Sequence, residues 1–380
     1  MNRIKILQIG KYYPPYKGGF ENSLHALVEG LKDRFQFQIL VANTDCKTTI
    51  ERLINVTVIR LGSLGKIFSQ PLTLSLFFWL KRSSCDVTHI HLPNPLAMMF
   101  YLIASSSGKL VVSYHNDIIR QRVLMVFLKP MVIALLTRAQ AIVVTSENLI
   151  NSSEILRMFR YKCYVVAHGI DADRFKATPE IKYGAEKIRE KLKRPIVLFV
   201  GRLVYYKGLK YLIRAMKDIE AALMIIGAGP EGRQLKTLAK VLGVQDKIIW
   251  LGEVSDEELP AYYQACDLFV LPSCANSESF GLVILEAHSF AKPVVSTNLP
   301  TGVIFTNLHQ KTGLVVSPKD SDSLKEAVNL LLASKELRDK YGECARKRVG
   351  DEFTKEKMAK EIARVYESVM LCNPNSQSAA

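Results

Sequence analysis

The sequence predicts an α/β protein made of two Rossmann-like, doubly wound domains, each built on a parallel sheet. Short, almost wholly apolar runs alternate with helical patterns along the chain. Strands of this kind are buried on both faces, as in parallel sheets that helices cover. One interval, residues 171–194, breaks the alternation with Pro179, Gly184 and a dense run of charges. Because the alternation resumes beyond it, we expect two doubly wound domains.

The predicted strands fall into two groups. An N-terminal domain over residues 1–170 would hold Ile4–Ile9, Phe37–Val41, Val56–Ile59, Val87–Ile90, Leu110–Ser113, Ala141–Thr145 and Tyr164–Ala167. A C-terminal domain over residues 195–352 would hold Ile196–Val200, Leu223–Ile226, Ile248–Leu251, Leu268–Leu271 and Pro293–Ser296. The interval 171–194 is predicted to be a linker. The tail, residues 371–380, is rich in Ser, Asn, Pro and Ala and is predicted to be disordered.

Charge is unevenly distributed along the chain. The 380 residues carry a formal net charge of +15, and residues 1–170 contribute +11 of it, from 20 Lys and Arg against 9 Asp and Glu. Such a basic half attracts nucleic acid, an anionic membrane or a phosphorylated substrate, or else only makes a soluble basic surface. The seven cysteines are odd in number and form no CxxC pair, which argues for a reducing compartment and against a zinc site.

Two further observations concern the membrane. The N-terminus, Met-Asn-Arg-Ile-Lys-Ile-Leu, predicts a strand rather than a signal peptide. The best apolar run, Val123–Leu136, is interrupted by Lys129 and Pro130 and is shorter than the roughly 18 residues that a spanning helix needs. We therefore expect a cytoplasmic protein.

The first motif with chemical meaning is a pair of glycines after the first strand. Lys17-Gly18-Gly19-Phe20-Glu21 precedes a predicted helix that begins near Phe20. Glycines at such a position let a ligand approach backbone N–H groups, and the helix dipole favours an anion there. A plain turn is the alternative, because the pattern is neither a P-loop nor GxGxxG.

The second motif follows the strand Ile196–Val200. Gly201-Arg202-Leu203-Val204-Tyr205-Tyr206-Lys207-Gly208 places two cations in one loop at the carboxyl end of a strand, where open α/β sheets bind ligands. Arg202 can contact a diphosphate through two N–H groups and Lys207 as a point charge. The alternative is a solvated basic loop.

The third motif is the most specific. Glu278-Ser279-Phe280-Gly281-Leu282-Val283-Ile284-Leu285-Glu286 follows the strand Leu268–Leu271, and a helix is expected to run through Glu286 to His288. The N–H groups of Ser279 to Leu282 can hold phosphate oxygens, and Glu278 can accept hydrogen bonds from sugar hydroxyls. The alternative makes Glu278 a partner of the helix dipole and Glu286 a surface residue.

One histidine is a further candidate. Ser113-Tyr114-His115-Asn116-Asp117 closes a strand of the first domain, so His115 is placed to contact a sugar or a transition state. A purely structural role for His115 is the alternative.

Taken in order, these motifs resemble the family 4 retaining glycosyltransferases of the GT-B fold, in which two Rossmann-like domains face each other across a cleft. The resemblance covers residues 4 to about 368. It includes Gly227-Ala228-Gly229-Pro230, which matches the family's GxGP turn, and His168-Gly169-Ile170-Asp171, with His where the family has Asn. It also implies that residues 353–370 form a helix that crosses back to the N-terminal domain.

The resemblance assigns roles to these residues. Gly18 and Gly19 would approach the donor diphosphate, Arg202 and Lys207 would neutralise it, His115 and Glu278 would hold the transferred sugar, and Glu286 would bind the ribose. Gly252 and Val254, in Leu251–Val254, would lie by the base. The sugar would be transferred with retention, and stabilisation of the leaving diphosphate would be the dominant task. Because Arg and Lys supply that charge, no metal and no cofactor are expected, and Asp171-Ala172-Asp173 is not interpreted as a metal-binding DxD motif.

Two apolar-basic segments suggest how the acceptor is met. Residues 72–82 end in Lys81-Arg82, and residues 120–138 mix apolar side chains with Arg122, Lys129 and Arg138. Such segments suit an anionic membrane surface, and core-packing helices are the alternative. We therefore expect peripheral association with the inner face of the cell membrane and a lipid-linked glycan acceptor.

Two segments of the second half suggest the donor. Leu299–Val303 and His309–Val316 are similar to bacterial mannosyl- and rhamnosyl-transferases of O-antigen and other surface-polysaccharide assembly. That likeness makes GDP-mannose the preferred donor, followed by UDP-sugars and by rhamnose-type dTDP or GDP donors.

Other classes of protein remain to be weighed. A nucleic-acid-binding protein is disfavoured, because no aromatic-basic platform or helix-turn-helix spacing is present. A non-catalytic nucleotide-sugar-binding protein is the alternative of a different class. A phosphorylase of the same fold would need a cofactor lysine in a motif that the sequence lacks.

Overall fold

The computed structural model describes residues 3–16, 18–67, 70–104, 108–116, 122–171 and 173–371, with the backbone alone for residues 122–127. It divides into two compact units, Met1–Gly169 with Lys355–Ala380, and Ile170–Thr354.

The described residues form sixteen strands. They are β1 Lys5–Ile9, β2 Gln36–Ala42, β3 Thr49–Leu53, β4 Val56–Leu61, β5 Lys66–Ile67, β6 Gln70–Pro71, β7 Val87–Leu92, β8 Lys109–Tyr114, β9 Ala141–Val144, β10 Cys163–Val165, β11 Ile196–Val200, β12 Ala222–Ile226, β13 Ile248–Gly252, β14 Leu268–Leu271, β15 Val294–Thr297 and β16 Gly313–Val316.

Fifteen α-helices are found in the same part of the chain. They are α1 Gly19–Leu31, α2 Leu76–Arg82, α3 Pro95–Ala104, α4 Arg122–Arg138, α5 Glu147–Ser152, α6 Glu154–Met158, α7 Pro179–Leu192, α8 Leu209–Ala215, α9 Gly232–Val241, α10 Leu259–Ala265, α11 Leu282–Ser289, α12 Val303–Thr306, α13 Ser321–Ala333, α14 Lys335–Glu352 and α15 Lys355–Leu371. No helix in the described ranges is long and apolar enough to cross a membrane.

The first unit is built on an eight-stranded sheet in the order β10-β9-β8-β7-β1-β2-β4-β3. Every neighbouring pair is parallel except β3 with β4. Side chains of the central strand β1 alternate between the two faces of the sheet. Ile6 packs with α1 and α15, whereas Leu7 and Ile9 pack in the core on the other face. The sheet is therefore covered on both faces, as its apolar strands predict.

The second unit is built on a fully parallel six-stranded sheet in the order β13-β12-β11-β14-β15-β16. Strand β11, at an interior position of this sheet, is buried over its whole length. The prediction of two Rossmann-like, doubly wound units is thus confirmed.

Four observed strands were not predicted. All five residues of β3 are exposed, so the strand lacks the apolar pattern that marks the others. The strands β5 and β6 have two residues each and pair only with one another. The fourth, β16, pairs with β15 at the sheet edge.

The predicted linker, residues 171–194, is largely helical. Thr178 caps α7 by accepting a hydrogen bond from the N–H of Ile181, and Pro179 occupies the first turn. The helix buries Ala185 and packs on α10 within the second unit. Its charged residues lie largely on the solvent side, which is why the segment looked like a linker in the sequence.

The last helix belongs to the first unit. Met358, Ala359 and Ile362 of α15 are buried in the core that this helix shares with α1. Of the predicted disordered tail, Leu371 is the last residue of α15, and residues 372–380 lie outside the described residues.

Candidate active site

In the second unit, the loops that follow neighbouring strands are joined by backbone hydrogen bonds at the carboxyl edge of the sheet. The N–H of Leu203, after β11, donates to the carbonyl of Ala228, after β12, at 2.9 Å. The N–H of Gly227 donates to the carbonyl of Gly252, at the end of β13, at 2.6 Å. A Cβ on Gly227 would lie 2.2 Å from the carbonyl oxygen of Gly201, so only glycine permits this approach. The loop that carries the second motif is therefore fixed by hydrogen bonds between neighbouring strand ends.

The second and third motifs meet in a buried ion pair. Nζ of Lys207 lies 2.6 Å from Oε2 of Glu278, and the two side chains are only 10% and 9% exposed. The hydroxyl of Ser273 donates to the same oxygen at 2.9 Å. Burial opposes the charge on Lys207, but the carboxylate of Glu278 prevails and raises the pKa of the lysine. The Lys207 side chain is thus held charged at neutral pH.

Oxygen Oε1 of Glu278 is left without a donor among the described residues, because both hydrogen bonds go to Oε2. Arg202 is exposed and forms no ion pair with a described carboxylate. The cluster therefore presents a vacant acceptor, a second cation and the remaining N–H donors of Lys207.

The residues from Ser279 to Gly281 form a loop that leads into a helix. Helix α11 begins at Leu282, and Glu278 lies in the loop that precedes it. Gly281 has a φ of 77°, which favours glycine, and Phe280 packs its ring in the core against Phe305. No described residue accepts from the backbone N–H of Ser279 or Gly281. Within the described part of the chain, both amides are therefore unpaired donors.

Gly302, which the sequence analysis did not single out, supports this loop. Its N–H donates to the carbonyl of Ser279 at 2.7 Å, and a Cβ here would lie 2.6 Å from the Phe280 ring. Gly302 falls in the segment Leu299–Val303, which was considered for its family likeness and not for any local contact.

Glu286 is not a surface residue. The hydroxyl of Tyr263 donates to its Oε2 at 2.7 Å, and burial raises the pKa of the carboxyl group. Glu286 lies on α11, whereas Tyr263 lies on α10 and is fully buried. Glu286 is thus an anchored carboxyl group.

The residues predicted to lie by a base come at the end of β13. Gly252 has a φ of 69°, is exposed, and would offer open space to a Cβ. Val254 is half-buried in the following loop.

In the first unit, the two glycines lie at the start of α1. Gly18 precedes the helix with extended backbone, and Gly19 is its exposed first residue. A Cβ on Gly18 would lie 2.1 Å from Oε2 of Glu21, so the carboxylate lies against the backbone there. Lys17 of the same motif lies outside the described residues. Any anion at this helix start would meet Glu21 as well as the amides.

His115 lies directly after β8 and belongs to a cluster of histidine rings. Its ring stacks on His91 at 5.6 Å and on His168 at 5.4 Å between centroids, and the partly exposed ring of Phe20 lies 4.7 Å away. Burial lowers the pKa of His115 well below the usual value, and the neighbouring rings of His168 and His91 add to the effect. The ring is therefore neutral at pH 7.

A small pocket lies against this cluster. Together with apolar side chains, it is lined by Phe20, Ser23, His91, His115 and His168. The sequence analysis missed the roles of His91 and His168. Their signals were the alternation of His89 and His91 along β7 and the His that replaces Asn before Gly169.

Among the described residues, the two aspartates of the DxD trigram have local partners and no cluster of further metal-binding side chains around them. The N–H of Asp173 donates to Oδ1 of Asp171 at 3.2 Å, and Asp173 pairs with Lys176. Ala172 lies outside the described residues. Within the described ranges, no group of three or more His, Cys, Asp or Glu could hold a metal ion.

The two apolar-basic segments contribute largely to the core. Leu76 and Leu80 of α2 are buried, and Phe77 and Trp79 pack against the same core, whereas Phe78 is 61% exposed. In α4, Leu128, Val132, Leu135 and Leu136 are buried in that core. Residues 120 and 121 and the side chains of 122–127 lie outside the description. Core packing thus accounts for most of the described apolar side chains, but not for Phe78 or for Leu74, which is 50% exposed.

Known proteins match both halves of the chain. The family described as Glycosyltransferase Family 4 matches residues 17–174, and Glycosyl transferases group 1 matches residues 184–348. O-antigen chain mannosyltransferase C of Escherichia coli is 29% identical over 374 residues, which are 97% of this chain and 99% of that protein. D-rhamnosyltransferase WbpZ of Pseudomonas aeruginosa is 33% identical over 293 residues, 76% of each chain.

A solved structure agrees with these matches at the level of the fold. The Anabaena protein HepE, crystallised with UDP-glucose, superposes with a TM-score of 0.78 and 20% identity over 96% of this chain and 100% of that one. Two Rossmann-like parallel-sheet units and these matches define a glycosyltransferase of the GT-B class. The chain belongs to glycosyltransferase family 4 and is similar to bacterial mannosyltransferases of O-antigen assembly. The alternative of a non-catalytic binding protein is thereby set aside.

Proposed function

We propose that this enzyme transfers mannose from GDP-mannose, with retention, to a polyprenyl-diphosphate-linked glycan in the assembly of O-antigen or another surface polysaccharide. The observation that carries the proposal is the buried pair of Lys207 and Glu278, in which one carboxylate oxygen is engaged and the other has no donor among the residues that the structure describes. The pair places a cation beside an anion. In a donor that joins a sugar to a diphosphate, the cation can meet the diphosphate and the carboxylate can meet the sugar hydroxyls.

The cationic part of this site suits a leaving nucleoside diphosphate. Negative charge grows on that group as the glycosidic bond breaks, so fixed donors aimed at it lower the barrier. Lys207 is fixed by Glu278, Arg202 is exposed nearby in the same loop, and the amides of Ser279 and Gly281 are unpaired among the described residues. These groups supply the stabilisation without a metal ion.

The anionic part suits the sugar and the nucleoside. Oε1 of Glu278 can accept a hydrogen bond from a hydroxyl of the transferred sugar, and His115 is the second proposed sugar contact. Glu286, held by Tyr263 through one oxygen, can accept from a ribose hydroxyl with the other. Gly252 and Val254 are the proposed base contacts, and Gly18 and Gly19 the proposed diphosphate contacts of the first unit.

The preference for mannose is supported by similarity over almost the whole chain. The O-antigen mannosyltransferase of Escherichia coli matches 97% of this protein. The second candidate donor carries rhamnose, because a D-rhamnosyltransferase is 33% identical over three quarters of both chains. UDP-sugars come third, since HepE holds UDP-glucose on the same fold.

Peripheral membrane association would bring the enzyme to a lipid-linked acceptor, and two features support it. Residues 1–170 carry +11 of the net charge, and Phe78 lies exposed on α2 with Lys81 and Arg82 at its end. An apolar side chain flanked by cations suits an anionic bilayer surface on the cytoplasmic side.

The experiment is a panel of GDP-mannose, rhamnose-type GDP and dTDP donors and UDP-sugars, each with a synthetic polyprenyl-diphosphate-linked glycan. We expect release of GDP and a mannosylated lipid with retained anomeric configuration. The Glu278→Gln variant is the matched control, because it keeps the size of the side chain and loses the charge. Turnover with a rhamnose donor or a UDP-sugar but not with GDP-mannose would replace the proposed donor.

A further inference from the structure

A continuous chain of hydrogen bonds links the C-terminal helix to His115. The side-chain Nε2 of Gln8 donates to the hydroxyl of Tyr366 at 2.7 Å, and Gln8 Oε1 lies 2.9 Å from Nε2 of His91. Nδ1 of His91 in turn lies 3.3 Å from Nε2 of His115. Gln8 and Tyr366 are fully buried, so no bulk water competes for these contacts.

The chemistry of these groups fixes where each proton lies. Since Gln8 donates through its nitrogen to Tyr366, its oxygen must accept, and the proton between Gln8 and His91 belongs to Nε2 of His91. Burial, followed by the neighbouring histidines, lowers the pKa of His91 well below its usual value, so the ring is neutral and carries only that one proton. Nδ1 of His91 is therefore an acceptor, and Nε2 of His115 carries the proton that it receives.

The end of the chain is a vacant acceptor. Neutral His115 has no second proton, so its Nδ1 is a bare lone pair, and among the described residues that buried atom has no partner. If the Gln8 carboxamide were reversed, every proton would shift and Nδ1 of His115 would carry a buried N–H without an acceptor. Orphaned buried N–H groups are rarer than under-satisfied acceptors, so the first arrangement is preferred.

We propose that Gln8 is a positioning residue of the transfer reaction: through His91 it holds His115 in the Nε2–H tautomer, with Nδ1 as an acceptor for a hydroxyl of the sugar. The role of His115 as a sugar contact rests on the proposed function, whereas the tautomer is a property of the free protein. Gln8 touches no substrate in this scheme and acts only through His91.

The direct test is two-bond ¹H–¹⁵N correlation spectroscopy of the whole protein labelled with ¹⁵N-histidine, since such spectra distinguish protonated from bare ring nitrogens. His91→Gln and His115→Gln variants assign the signals. We expect His91 and His115 both as Nε2–H tautomers. A protonated Nδ1 on His115 would overturn the proposal, whatever donor the enzyme uses.

The functional test removes the carboxamide with Gln8→Leu. We expect mixed tautomers at His91 and His115 and a kcat about tenfold lower, the size of one net hydrogen bond, with the KM for the donor within twofold. The matched control is Thr88→Val on β7, which removes another buried hydrogen bond, to Cys85, and should leave tautomers and kcat unchanged.

The outcomes separate the two proposals. Unchanged tautomers or an unchanged kcat in Gln8→Leu would refute the positioning role. Full activity of His115→Ala would instead refute the sugar contact. The tautomer of His115 would then still be decided by the spectroscopy alone.

Discussion

Replacing either member of the Lys207–Glu278 pair should damage both stability and catalysis, and the two effects can be separated. Alanine at either position should cut turnover at least a hundredfold, because it removes one charge-assisted contact to the transition state. It should also destabilise the fold, because both side chains are buried. A single substitution leaves its partner charged, buried and without its counter-ion, apart from the Ser273 hydroxyl beside Glu278.

The magnitude follows from the burial. Breaking a buried ion pair from one side costs about 3–5 kcal/mol, whereas removing both charges costs much less or nothing. For a unit of this size each kcal/mol shifts the melting temperature by roughly 2–4 °C. We therefore expect Lys207→Met and Glu278→Gln each to lower the melting temperature of the second unit by about 6–20 °C. The double variant should regain at least half of that loss.

Catalysis should behave differently. One lost charge-assisted contact to a transition state is typically worth about 10²–10³ in kcat. The double variant regains stability but no cation and no carboxylate, so its turnover should stay at least a hundredfold below the wild type.

The two tryptophans make the stability measurement specific. Trp250 lies on β13 of the second unit and Trp79 on α2 of the first, so Trp250 fluorescence in a Trp79→Phe background reports on the second unit alone. Lys335→Met, which breaks an exposed pair with Asp339, is the control and should cost less than about 1 kcal/mol. If the double variant is as unstable as the sum of the two single variants, the pair has no net coupling and the reasoning fails.

Three further predictions concern pH, metal and membrane. Burial lowers the pKa of His168 to about 4 and that of His89 to about 3, so both histidines bind protons more readily in the unfolded protein. The free energy of unfolding of the first unit is therefore full above pH 6.5 and decreases below it. The expected loss is about 2 kcal/mol per histidine between pH 7.5 and pH 5. Urea unfolding followed by Trp79 fluorescence in a Trp250→Phe background measures this, and a first unit equally stable at both pH values would contradict it. Transfer should persist in excess chelator; complete loss that magnesium or manganese restores would show that a metal is needed. The protein should sediment with anionic vesicles at low salt and less at high salt, and Lys81→Glu/Arg82→Glu or Phe78→Ser should weaken binding by about 1 kcal/mol for each lost contact; protein that stays in the supernatant would remove this support for a lipid-linked acceptor.

The parallel sheets could be predicted because their strands are defined by local composition. Most of the parallel strands are short apolar runs, and the bounds of the predicted strands were found within about two residues. Strand β16 is also a short apolar run, but it was not predicted. The exposed strand β3 carries no such run, since it pairs with β4 at the edge of the sheet and turns every side chain at least partly to solvent. Helix α7 was missed for a related reason, because burying Ala185 needs only a narrow apolar stripe among many charges.

The site was predictable only in its residue types. Cations and carboxylates after strand ends indicate a ligand edge, but the spacing of Lys207 and Glu278 along the chain contains no sign that they bond to each other. Similarly, in the sequence Gln8 is only one polar residue within an apolar strand, and nothing near it indicates its partners. Its role depends on Tyr366, which comes 358 positions later.

The pairing of Lys207 with Glu278 explains how a buried lysine can remain a cation for a diphosphate. Burial alone would favour loss of its proton, and a neutral amine would contribute little to a leaving group that gains negative charge. The Glu278 carboxylate reverses that tendency, and it does so through Oε2, whereas Oε1 receives no hydrogen bond from the described part of the chain. Glu278 thus keeps the lysine charged in the free enzyme, before any donor arrives, and retains one acceptor for the sugar. Glutamine at position 278 has a single acceptor oxygen, which the donors Lys207 and Ser273 would occupy, so Glu278→Gln removes both the charge that keeps the lysine ionised and the open acceptor for the sugar.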